Sequence, residues 1–223
     1  MMDGGKLMDS GKLIIQASLF EILALALLYP TDVLVDALTS GEYAEALAEI
    51  TGELDMHSTE LAAALDELTV YAGRDSEEVL HELRAEHTRL FIGAPEPVVS
   101  PFAGVWQAKR DGVQPLLFVN KESMAVERFM RSCGVGQPDG TNEPLDHIGS
   151  ELEFLQYLAL IKAEAAVPPA DVEIAADAYG QFYATHFVTW VPEFADAIIE
   201  ESENAFFLAI AQVIARAAKC DVQ

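Results

Sequence analysis

The sequence predicts an all-α fold, a single globular bundle of about ten helices interrupted by one long Pro- and Gly-rich loop. Three observations carry this. Apolar residues recur at the helical period of three to four through most of the chain, and Gly, Pro, Asn, Asp and Ser punctuate that pattern at short intervals. No run alternates apolar and polar residues as a half-buried strand does, no repeat of fixed period is visible, and no low-complexity tract occurs. With 223 residues, 51% of them hydrophobic, the chain is able to bury a sizeable core.

Residues 1–11 read as a flexible N-terminus and 12–223 as the helical domain. The first helix spans Leu13 to Leu28 and ends at Tyr29-Pro30, because the residue before proline is pushed out of helical geometry. Thr31 or Asp32 caps a short helix to Thr39, and Tyr43 to Ile50 forms another between Gly41 and Gly52. Ser58 caps a helix from Leu61 to Tyr71, closed by Gly73. Asp75 and Glu78 resemble a capping box opening a helix through Val79, Leu83, His87 and Leu90 to Gly93.

From Gly93 to Val119 the rhythm fails, since Pro95, Pro97, Pro101, Gly104, Gly112 and Pro115 forbid any long helix. This segment holds Phe102, Val105 and Trp106, which suit a packed groove better than a solvated linker, and 93–119 is the candidate hinge of the chain. Glu122 to Ser132 is helical and stops at Cys133-Gly134; Gly136, Pro138, Asp139 and Gly140 make a turn-rich link. Further on, Pro168-Pro169 predicts a helix reaching Trp190, with Phe182, His186 and Trp190 along one face. Pro192 starts the next helix. Asn204 caps a last one whose core candidates are Phe206, Phe207, Ile210, Val213 and Ile214.

Thirteen basic against thirty-seven acidic residues give a net charge of −24, a field that repels nucleic acid and anionic lipid and attracts cationic segments. Two cysteines, Cys133 and Cys220, are too few for a disulfide framework and lack zinc-site spacing, so a reducing compartment is the default. Lys6 and Lys12 precede an apolar stretch to Tyr29 in the manner of a secretory signal. Asp3, Asp9, Gln16 and Glu21 intrude on it, and the stretch is read as a soluble helix that does not enter a membrane.

Familiar catalytic patterns fail on spacing. Gly11-Lys12-Leu13 lacks the preceding Gly and following Ser or Thr of a phosphate loop, and Gly134-x-Gly136-x-x-x-Gly140 follows a helix instead of a strand. His81 and His87 are six apart, too far round a helix to share a zinc ion. Asp146 and His147, adjacent on a helix, would point about 100° apart, so the acid could not orient the imidazole toward Ser150.

One stretch demands a function. After Pro144, apolar Leu145, Ile148, Leu152, Leu155 and Ala159 follow a helical period, widened by Phe154, Leu158 and Ile161, so the helix is packed on several sides. Yet its first turns carry Glu143, Asp146, His147 and Glu151. Glu143, His147 and Glu151, four apart, fall along one helical face with Asp146 beside them, a row able to receive a cation. The plainer reading is that the acids offset the helix dipole and the histidine is a hydrogen-bonded core residue. Spacing leaves both open.

The run Asn142-Glu143-Pro144-x-Asp146-His147, followed by Glu151-Leu152 and an apolar helix, resembles the Glu-x-Pro-x-Asp-His signature of the TorD/DmsD/NarJ family of molybdoenzyme chaperones. Leu90-Phe91-Ile92-Gly93 and Pro101-Phe102-Ala103-Gly104-Val105-Trp106 resemble two further segments of that family, with Gly104 where the family usually has Ser. His87 stands where relatives can carry an aromatic residue. Phe182, His186, Trp190, Pro192 and Phe194 are similar to its C-terminal helices. The resemblance implies a cytoplasmic chaperone, not an enzyme. Its partner is the twin-arginine leader peptide and apoenzyme of a molybdoenzyme catalytic subunit, of the dimethyl sulfoxide or trimethylamine N-oxide reductase type. It places leader recognition on Leu90, Phe91, Pro101, Phe102, Trp106, Pro144, Asp146 and His147. Glu143, Asp146 and Glu151 are the natural acceptors for arginine, since guanidinium pairs with carboxylate in planar two-point contacts. No cofactor or metal is required, although family members have been linked to guanine nucleotide or the pterin cofactor. The alternatives are a nucleotide-binding protein or GTPase using the acidic row and His147, or a structural subunit of a helical complex. A monomer and a dimer that exchanges helices both fit.

Overall fold

Residues 4–114, 120–137 and 144–219 are described by a computed structural model of the chain. Among them are eleven α-helices and no strand beyond one isolated antiparallel bridge between Phe102 and His147. The all-α reading stands. The chain divides into two compact units, the first built from 1–21 and 102–190 and the second from 22–101 and 191–220. It passes from the second to the first between Pro101 and Phe102, inside the segment where the sequence interrupts helix formation.

The second unit contains the end of α1 (Gly4–Leu27), then α2 (Asp32–Ser40), α3 (Glu42–Glu53), α4 (Thr59–Glu67), α5 (Ser76–His87), α10 (Val191–Glu201) and α11 (Ala205–Ala217). Its local signals are chemical. Ser58 accepts a hydrogen bond from the Leu61 N–H, Asp75 from Glu78, and Asn204 from Phe206 and Phe207, each satisfying N–H groups that a helix start leaves unpaired. Gly41, at φ 89°, ends α2 in the left-handed conformation that costs glycine little. Helix α11 packs on α10 and α4 and is buried on most sides, with Phe206, Phe207, Ile210, Val213 and Ile214 fully enclosed.

The first unit holds the start of α1, then α6 (Ala103–Arg110), α7 (Lys121–Ser132), α8 (Ile148–Lys162) and α9 (Ala178–Thr185). Its axis is α8, whose Ile148, Leu152, Phe154, Leu155, Leu158 and Ala159 are all buried. Phe154 meets Phe182 edge-on at 4.7 Å and Phe129 at 6.1 Å, and Phe20 meets Phe187 at 6.0 Å, so aromatic rings from α1, α7, α8 and α9 join one core.

Four elements differ from the sequence reading. The helix expected after Pro144 begins at Ile148, because His147 in extended geometry supplies its cap. The Glu143, His147, Glu151 row is therefore not one helical face, and Glu143 lies outside the described residues. The helix expected from Pro168 starts only at Ala178. Between them the chain makes isolated turns, such as Val172 N–H to the Pro169 carbonyl at 3.0 Å, since Val172 and Ile174 alone give a helix little to bury there. The proline-rich segment accommodates α6 after its last closely spaced proline. Finally, α1 starts at Gly4, upstream of Leu13; Gly4, Gly5 and Gly11 each disfavour helix by roughly 1 kcal/mol, which conceals it locally. The Ser10–Leu27 part of α1 is long and apolar enough to cross a membrane, and half of it is buried within the protein.

Candidate functional site

The signature stretch is organised by backbone pairing. Ala103 N–H donates to the Asp146 carbonyl at 3.0 Å, beside the Phe102–His147 bridge, and this joins the start of α6 to the segment preceding α8. His147 then caps α8. At φ −72° and ψ 139° its Nδ1 accepts from the Gly149 N–H at 3.0 Å, so the proton of the neutral ring sits on Nε2. The Phe102 ring meets the imidazole edge-on at 5.3 Å.

Asp146 is wholly buried, and its Oδ2 accepts from the Gly104 N–H at 2.9 Å and the Ser123 hydroxyl at 2.5 Å. One carboxyl oxygen thus ties together the starts of α6 and α7. Oδ1 has no partner. Burial pushes the Asp146 carboxyl above the usual aspartate range; the Ser123 and Gly104 bonds pull against that shift, and the nearby Glu122 charge adds to it. The close approach explains Gly104. A Cβ there would overlap the side-chain amide of Asn120, whose Oδ1 caps α7 by accepting from the Ser123 N–H at 2.7 Å. Where the family usually places a serine, this chain fills the space with asparagine.

Glu151, on the first turn of α8, is also fully enclosed. Its Oε2 accepts from the Trp190 indole N–H at 3.1 Å, and its Oε1 has no hydrogen-bond partner among the described residues. Burial raises this carboxyl well above the glutamate range, and the Asp146 and Glu122 charges push the same way. Glu122 itself stands on the first turn of α7, half-buried, with Oε1 2.6 Å from His186 Nδ1.

The structure thus brings Phe102, Asp146 and His147 into direct contact in the first unit, with Glu151 within electrostatic reach. Pro144 and Phe102 are half-buried, and Trp106 is buried with Lys109 Nζ 4.5 Å above its ring. Leu90, Phe91 and Pro101 belong to the second unit, where all three are buried. Leu90 and Phe91 lie in a π-helical turn, Thr88–Ile92, that follows α5, and Phe91 stacks on Phe194 at 5.9 Å. His87 sits beneath, ringed by Tyr29, Phe91 and Phe207. Burial holds its pKa below the ordinary histidine value, and Nδ1 has no hydrogen-bond partner among the described residues.

Sequence reasoning missed Asn120, Glu122 and Ser123. The signal present was local, an Asn three residues before a Ser at a helix start, but the tie to Asp146 is tertiary. His186, placed by its spacing on one face with Phe182 and Trp190, packs on Phe129 and Phe182 and also pairs with Glu122. Among the described residues no group of three or more His, Cys, Asp or Glu side chains is arranged to hold a metal ion. The second unit has a cleft of about 570 Å³ lined by Glu82, Glu86, Arg89, Glu201, Glu203 and Asn204, among others. It contains none of the candidate leader-binding residues, and Arg74 and Arg89 already pair with Glu82 and Glu86 at 2.7 and 2.8 Å.

The sequence profile of the nitrate reductase delta subunit family matches residues 54–196. Among individual proteins, the chain is 26% identical over 140 residues to the chaperone protein TorD of Vibrio cholerae, covering 63% of this chain and 60% of that protein. It is 25% identical over 166 residues to the chaperone protein TorD of Aliivibrio fischeri, covering 74% of each. With the protein of the same name from Escherichia coli O8 it shares 26% over 167 residues, 73% of this chain and 74% of that one. The match to the Vibrio cholerae protein thus spans less than two thirds of that relative's length.

Proposed function

From the premise that the chain belongs to the nitrate reductase delta subunit family, we propose that it is a maturation chaperone for a molybdoenzyme. In this reading it acts in the cytoplasm on the twin-arginine leader and apoenzyme of a catalytic subunit, of the sulfoxide or N-oxide reductase type, and holds them until the cofactor is inserted. The relatives it resembles are named chaperones. The observation that carries the reading is the meeting of Phe102, Asp146 and His147 in one small acidic site of the first unit. That site offers an aromatic edge, buried carboxyl oxygens and a fixed imidazole, which suits capture of a basic segment with an apolar neighbour.

The same geometry argues against catalysis by Asp146 and His147. Asp146 is bonded to Gly104 and Ser123, and His147 Nδ1 to Gly149, so these two residues form no acid–imidazole pair to activate a nucleophile. We assign Leu90, Phe91 and Pro101 to the packing of the second unit, and Phe102, Trp106, Pro144, His147 and the acids to the leader site; the reading needs no cofactor. Calorimetric titration with a synthetic twin-arginine leader tests it. Asp146→Ala and Phe102→Ala, each shown to be folded, are expected to weaken binding at least tenfold, about 1.4 kcal/mol each. Unchanged affinity in both would remove the site assignment.

A further inference from the structure

Of the signature acids, Asp146 and Glu151 are the described ones; both are buried, and each already accepts from a donor of its own chain. A guanidinium approaching them therefore first meets a more exposed carboxylate. We propose that Glu122, held by His186, is the carboxylate at which the first unit receives a guanidinium from its partner; this rests on the leader-binding reading above.

Geometry supports the choice in three ways. Glu122 keeps 20% of its side chain exposed, whereas Asp146 and Glu151 keep none. Its Oε1 is fixed by His186 Nδ1 at 2.6 Å, and its Oε2 makes no hydrogen bond to a described residue, leaving an acceptor for an incoming N–H. His186 is itself immobilised between the Phe129 and Phe182 rings, at 5.8 and 5.1 Å, so the carboxylate is presented in one orientation. His186 is a positioning residue in this account.

The surroundings add a second, independent observation. Asp146 Oδ1 and Glu151 Oε1 are fully buried oxygens with no hydrogen-bond partner among the described residues, in two carboxyls that feel the Glu122 charge. No lysine or arginine is among the charges acting on either group. Three carboxyls that each keep an oxygen unmet by any described residue make a site suited to a donor-rich cation. Arginine fits better than lysine because its planar fork reaches Glu122 Oε2 and still presents further N–H groups inward.

The test is a cycle of titrations on the full chain. Wild type and Glu122→Gln are each titrated with a leader peptide carrying Arg-Arg, and with the same peptide carrying Lys-Lys or Gln-Gln. Glu122→Gln is expected to lose about tenfold in affinity for the Arg-Arg peptide and nothing for Gln-Gln. Wild-type discrimination for arginine that survives intact in Glu122→Gln overturns the proposal. If wild type binds no leader, the functional reading fails, and arginine amide decides the site alone. Nuclear magnetic resonance should then show shifts centred on the Ser123 amide and the His186 ring, larger than with lysine amide. No shift there at millimolar arginine amide overturns the proposal, also where Glu122→Gln does not fold.

Discussion

Glu151 stabilises nothing by being charged. Its carboxyl is raised well above the glutamate range by burial, so the folded state holds a proton there that the unfolded chain would release. The sign follows: where the folded state binds more protons, stability falls as pH rises, beginning at the ordinary carboxylate range and continuing up to the raised folded value. Glu151→Gln keeps an acceptor for the Trp190 indole and removes the titration. Its melting temperature is expected to exceed that of wild type by a margin that widens as pH rises from the ordinary carboxylate range toward the raised folded value. Two melting curves that stay parallel over that range would contradict it. The position of Glu151 on a buried face was legible in the apolar residues around it. The partners were not, because Trp190 and Glu122 reach Glu151 only through the packing of distant segments.

At the scale of elements, the legible features are those in which a side chain meets its own backbone. Ser58, Asp75 and Asn204 cap the helices that their spacing indicates, and Tyr29-Pro30 ends α1. Asn204 does more than cap: its Nδ2 donates to Glu82 at 2.9 Å, and its Oδ1 also accepts from the Tyr71 hydroxyl at 3.3 Å. Asn204→Ala is therefore expected to cost about 1–2 kcal/mol, read as a lower urea midpoint with an unchanged slope. A loss under a few tenths would show that Tyr71, which also receives the Phe206 N–H, suffices alone. The starts of α8 and α9 were misplaced for a shared reason. Proline permits a helix start without requiring one, and His147 and the Pro168–Asp177 turns win through contacts and exposure that spacing does not encode.

Across the whole molecule, acidity and family membership point the same way. A chain of net charge −24 draws cationic segments from a distance. The charge balance was plain in the sequence, and the class of fold followed from periodicity. The division into two units did not, because their pieces interleave along the chain: the second unit is completed only when Val191–Cys220 returns to residues 22–101. Exchange of such a returning segment between two copies is a route to a dimer that a monomer–dimer equilibrium by light scattering would reveal.

The central claim is that this chain recognises paired arginines. The most direct measurement is its affinity for a twin-arginine leader and for the same leader with both arginines replaced by glutamine, each at low and high salt. Binding is expected to fall at least tenfold on replacement, and the salt dependence of the arginine peptide to vanish with it. Equal affinities for the two peptides at both salt concentrations would contradict the account.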